Sequence, residues 1–140
     1  MIAHHEIALD GKNSASLREI REYVEKSLSE IPSLEGLTKR HIILAVDEAI
    51  TSIFRNAVDY GDEETLSVFI EANDERISIQ LDDSRCAFEW PEDSPVNAEH
   101  FREQRNNDLG IYLIQRIMDE ISYSYRTGHQ NTLTLIKFLP

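Results

Sequence analysis

Glu48, Ser52 and Asn56 recur at every fourth position of the stretch AVDEAITSIFRNAVDYG, residues 45–61. A carboxylate, a hydroxyl and a carboxamide at that spacing share one edge of an α-helix, because successive residues advance by about 100°. Asp59 extends the stripe, which drifts by about 40° for each step of four. Ile42, Val46, Ala49, Ile50, Ile53 and Ala57 gather on the adjoining apolar face. A polar stripe bordering a buried face has two readings. It is the edge of a ligand pocket, where these groups would meet a polar molecule, or it is the solvent boundary of an amphipathic helix. Spacing alone favours the boundary.

The elements that would position this helix follow from periodicity. HHEIALD reads as a short strand. Leu17, Ile20, Val24, Leu28 and Ile31 then fall at helical spacing, with Ser16 and Glu19 forming a capping box at the start. Pro32 and Gly36 close that helix, Thr38 is the expected N-cap of the next, and Gly61 is its expected end. TLSVFIEA and ERISIQLDD alternate apolar and polar residues around Asn73 and Asp74, an antiparallel hairpin. Residues 84–106 break the pattern with two prolines and many charges, as a lid or binding loop would. DLGIYLIQRIMDE reads as a third helix whose inner face is Leu109, Leu113, Ile117 and Met118. ISYSYR and NTLTLIKF follow as strands joined by a turn containing Gly128. The order β-α-α-β-β-loop-α-β-β predicts an α+β sandwich, with helices layered on one face of a mixed or antiparallel sheet.

Composition narrows the function. The chain has 140 residues, for which one domain is the expectation. Fourteen basic residues against 26 acidic ones leave a net charge of -12. That excess argues against non-specific binding to nucleic acid or to an anionic membrane, whose affinity comes from attraction to phosphate. Cys86 is the one cysteine, so an intrachain disulfide is excluded. There is no apolar run of transmembrane length and no signal peptide, and a reducing cytoplasm is expected. His4 and His5, adjacent in a strand, point to opposite faces and are not expected to share a metal.

Three segments, in order, resemble the anti-sigma-factor serine kinases of the histidine-kinase-like (GHKL) ATPase superfamily. The run Glu48-Ala49-Ile50-Thr51-Ser52-Ile53-Phe54-Arg55-Asn56-Ala57-Val58 resembles the family's Glu-Ala-x-Thr-Asn-x-x-x-His-Ala-Tyr box. Glutamate, alanine and threonine match, while Ser52 and Asn56 stand at the asparagine and histidine positions. LDDSRCAFEW resembles the Asp-x-Gly-x-Pro-Phe-Asp box, with Asp82 at the adenine-binding aspartate and Ser84 at the glycine. On that reading the segment is about one residue longer than usual before Phe88 and Glu89. NNDLGIYLIQRIMDEISYSY resembles the glycine-rich box and its helix. Leu109, Gly110, Ile111, Leu113 and Ile114 match, and Asn107 and Asp108 replace the leading glycines. GHQNTLTLIK, which contains Asn131, resembles the family's last hairpin.

The resemblance covers nearly the whole chain. It implies a two-layer α/β sandwich of the histidine-kinase-like type over residues 1–140, with about three helices on one face of a mixed, mostly antiparallel sheet and a lid at 84–106. It implies binding of ATP and Mg²⁺ and phosphorylation of an anti-anti-sigma-type partner. Glu48 would activate the attacking hydroxyl or water, and Ser52 would stand at the Mg²⁺ ligand. Asn56, Asp82, Ser84, Asn107, Leu109, Gly110 and Asn131 would complete the nucleotide site. A sigma factor or an antagonist protein would be the partner, and a homodimer the assembly. The departures bear on mechanism. Ser52 reaches less far than asparagine towards a metal that demands octahedral geometry. Asp108 sets a negative charge beside a triphosphate, which Arg102 and Arg105 would offset. Hence an alternative of a different class: a module of the same fold that regulates its partner by surface contact and binds nucleotide weakly or not at all. A third reading is a nucleotide-sensing regulator without phosphoryl transfer.

Overall fold

The computed structural model describes residues 1–8, 14–56, 65–84, 106–124 and 131–139. The expected lid, Cys86, Gly61 and Gly128 lie outside them, apart from the two ends of the lid segment. The elements are β1 (Ile2–Ala8), α1 (Ser14–Ser29), α2 (Gly36–Asn56), β2 (Thr65–Ala72), β3 (Arg76–Asp83), α3 (Asn106–Ile117), β4 (Glu120–Ser124) and β5 (Asn131–Phe138). The strands form one sheet in the order β1-β2-β3-β5-β4, and every described pairing is antiparallel. Because β3 and β4 both run antiparallel to β5, they are parallel to each other with β5 between them. The segment containing α3 makes that crossover.

Period-two alternation divides the sheet into two faces. Leu66, Val68 and Ile70 of β2, Ile77, Ile79 and Leu81 of β3, and Leu133 and Leu135 of β5 are buried against the helices. Ile20, Val24 and Leu28 of α1 and Ile42, Val46, Ala49, Ile50 and Ile53 of α2 complete that core. The helix-covered layer is therefore apolar at nearly every inward position, which is what holds a two-layer fold together. The other face carries alternating polar residues. His4 and His5 do diverge: His4 stacks on Phe69 of the open face, and His5 on Tyr23 of α1. At the β2–β3 turn, the Asn73 side-chain oxygen accepts from the Glu75 and Arg76 amides, so an asparagine closes this hairpin.

Three expectations are corrected. α1 begins at Ser14, so Ser16 lies inside the helix rather than capping it. Gly36 does not close α1 but opens α2, two residues ahead of Thr38, with a φ of 64°. Only glycine takes that conformation without strain, which is why the chain enters α2 there. The third concerns α3. Its buried residues are Gly110, Ile111 and Ile114; of the expected inner face, Met118, just past the helix end, is buried and Ile117 packs partly buried against the core, while Leu109 is 53% exposed. The helix is rotated from the expected orientation because its glycine, not its first leucine, meets α2.

Candidate functional site

α2 runs its apolar face along the core and turns Glu48 to the border with α3. Glu48 is half-buried, and Ser52, one turn later, is 9% exposed. The rotation of α2 is braced from behind. Arg21 of α1 donates from Nη2 to Thr51 Oγ1 at 2.7 Å and pairs with Asp47. Asp47 and Thr51 flank Glu48 in sequence and lie one turn apart, so this brace acts on the side of α2 adjoining the stripe.

α3 packs against α2. Gly110 meets Glu48 there: a Cβ added to Gly110 would lie 2.8 Å from Glu48 Oε2. A carboxylate and a glycine of two sequence-distant boxes are thus brought into contact. Leu109, exposed beside Gly110, does not contribute to the buried contact.

At the end of β3 the alternation distinguishes two neighbouring aspartates. Asp83 continues the helix-covered face of Ile77, Ile79 and Leu81 and is 2% exposed. Asp82 lies on the open face, where both its oxygens accept from Gln80 Nε2 at 3.1 Å. The expected adenine aspartate, Asp82, is therefore on the far side of the sheet from Glu48, because side chains of successive strand residues point in opposite directions. Asp83, which the sequence reading did not single out, is the aspartate on the helix-covered face. Two signals pointed to it: the apolar alternation ends on Asp83, and starting the box there removes the extra residue before Phe88. The box then reads Asp83-Ser84-Arg85-Cys86-Ala87-Phe88-Glu89.

Ser84 has a backbone role. Its Oγ accepts from the Thr65 amide at 2.7 Å, and its amide donates to the Thr65 carbonyl at 3.0 Å. These bonds extend the β2–β3 ladder past its last pair. Across the sheet, Asn131 is in register with Asp83. The side chains of Asn56, Asn107, Asp108 and Asn131 lie outside what is described, as do Arg102 and Arg105. Among the described residues no group of three or more histidines, cysteines, aspartates or glutamates could hold a metal ion. A groove of about 260 Å³ lies between α1 and α2, lined by Arg21, Val24, Asp47 and Ile50 among others, and neither Glu48 nor Ser52 lines it.

Contact between the Glu48 helix and the glycine helix, over one face of an antiparallel sheet, agrees with what the chain matches. Residues 12–137 match the histidine kinase-like ATPase domain. The chain belongs to that family. Its histidine kinase-like ATPase domain is also similar to the serine-protein kinase RsbW of Staphylococcus epidermidis, 28% identical over 105 residues. That similarity covers 69% of this chain and 63% of the relative, and RsbW from two strains of the same organism matches equally. The chain thus spans about 63% of the length of these relatives. No helix among the described residues is long and apolar enough to cross a membrane.

Proposed function

We propose that this histidine kinase-like ATPase domain binds ATP with Mg²⁺ and phosphorylates a serine or threonine of an anti-anti-sigma-type partner, as an anti-sigma-factor kinase. The observation that carries the reading is the contact of the Glu48 carboxylate with Gly110 of the glycine-rich box. It places a proton acceptor beside the segment whose backbone would approach the phosphates. Glu48 would take the proton of the attacking hydroxyl while its oxygen bonds to the γ-phosphorus and the bond to the departing ADP breaks. Asp83, buried at the strand end, would hydrogen-bond the adenine amino group.

The described residues fit a nucleotide, with Ser52 the departure that bears on the metal. The N-terminus of α3, ahead of Gly110, would offer amides and a helix dipole that favour an anion. Ser52 offers a hydroxyl oxygen where a carboxamide would reach further. Mg²⁺ is commonly held by one or two protein groups plus substrate phosphates, so an all-protein cage is not needed. When bound, Mg²⁺ would neutralise charge on the β- and γ-phosphates. The sigma factor or antagonist partner, a homodimeric assembly and a cytoplasmic setting belong to the same proposal.

A second reading is favoured by Ser52 and Asp108: a module of this fold that holds its partner by contact alone. Calorimetric titration with ATP, with and without Mg²⁺, separates the two. Magnesium-dependent binding is expected. No heat at about 1 mM ATP, the affinity of only ~4 kcal/mol, would overturn the kinase and support the module.

A further inference from the structure

Gly110 lies inside α3, and a glycine in a helix interior costs about 1 kcal/mol relative to alanine. Its usual reasons are missing. Among the described residues Gly36 is the one glycine with positive φ, so Gly110 needs no left-handed conformation. The three heavy atoms nearest to a Cβ built there, outside α3's own backbone, all belong to Glu48: Oε2 at 2.8 Å and Cβ and Cδ at 3.7 Å. The two carbon distances are ordinary contacts. Only the carboxylate oxygen is too close.

We infer that Gly110 is a positioning residue for Glu48: the absent Cβ is the space in which the carboxylate sits. This rests on the kinase reading for its functional consequence, but its physical content does not. A methyl group at 110 would meet the far end of a flexible side chain, not backbone. The fold would accommodate it by rotating the Glu48 carboxylate away, at the modest cost of a rotamer change. Helix propensity would offset that cost. Gly110→Ala would then fold as well as wild type while moving the proton acceptor. Misplacement of a catalytic group by about 1 Å can cost ~100-fold in rate. Glycine at this position is required by the geometry of a residue more than sixty positions earlier in the chain, rather than by its own backbone.

The test uses the whole chain carrying Gly110→Ala, with two measurements. In the ligand-free protein, NMR of the side-chain carboxyl carbons is expected to show the Glu48 resonance moving more than any other, with the urea midpoint close to wild type. With Mg·ATP, phosphate release is expected to fall about 100-fold in kcat while KM for ATP stays within about threefold, a shift of ~0.6 kcal/mol. A Glu48 resonance that stays in place overturns the inference whatever the activity. A moved resonance with unchanged kcat leaves the positioning intact and refutes the catalytic role of Glu48 instead. If the variant unfolds, the Gly110→Ala/Glu48→Ala pair decides: it must regain the wild-type midpoint, and failure to do so sinks the steric claim. A moved Glu48 resonance in a protein that neither binds nor turns over ATP leaves the positioning intact and refutes the kinase reading instead.

Discussion

Arg21 donates a hydrogen bond from Nη2 to Thr51 Oγ1 at 2.7 Å, tying α1 to the turn of α2 that carries Glu48 and Ser52. The same guanidinium pairs with Asp47 one turn earlier. An arginine fork that grips two residues a turn apart resists rotation of the helix as well as separation. The edge of α2 that carries Glu48 is thereby held through the adjoining side of the helix.

Breaking this brace should cost little stability, because the Arg21 side chain is 41% exposed and the Asp47 side chain 36%. Arg21→Met is expected to lower unfolding free energy by about 0.5–1 kcal/mol, the range of exposed ion pairs. Thr51→Val should cost a similar amount. A double-mutant cycle in urea should show the two coupled. Strict additivity would mean the hydrogen bond contributes nothing in solution.

The two aspartates at the end of β3 should behave differently towards nucleotide. Asp83→Asn is expected to weaken ATP binding by about 10-fold or more, the ~1.5–3 kcal/mol of a hydrogen bond to a charged group. Asp82→Asn, on the open face, should leave the affinity within about twofold, under ~0.5 kcal/mol. Calorimetry on both variants checks this. Equal losses at both positions would contradict the facing read from the strand.

Ser52→Asn should strengthen Mg²⁺-dependent ATP binding, since a carboxamide reaches further towards the metal than a hydroxyl. The difference between titrations with and without Mg²⁺ isolates the effect. An affinity unchanged by the substitution would place Ser52 away from the metal.

The rotation of α3 can be read from stability. Ile114 is 1% exposed and Leu109 is 53% exposed. Ile114→Ala should cost about 2–5 kcal/mol through lost burial and a cavity. Leu109→Ala should stay within about 0.5 kcal/mol, as surface changes do. Urea midpoints compared at equal slope give both values. Similar losses at both sites would mean α3 is oriented as periodicity alone suggested.

What the sequence determined by itself was the set of elements and their class. TLSVFIEA and NTLTLIKF are strands with the bounds periodicity assigns, because alternation of apolar residues is local information. The inner faces of α1 and α2 were legible for the same reason, each carrying a long uninterrupted apolar stripe. The box around Glu48 was legible as a pattern, and Gly110 as a matching position. Tertiary structure decided the rest. Only the packing of α3 on α2 shows that Gly110 meets Glu48, since nothing local links positions so far apart in the chain. The alternation of Ile77, Ile79 and Leu81 already set Asp83 on their face, and the pairing of β3 in the sheet shows that this face is the helix-covered one. The orientation of α3 failed to follow its leucines for a related reason. Leu109, Leu113 and Ile117 form one apolar stripe and Ile111, Ile114 and Met118 another, and periodicity cannot choose between two stripes on a short helix. The close approach allowed by a residue without a side chain made that choice.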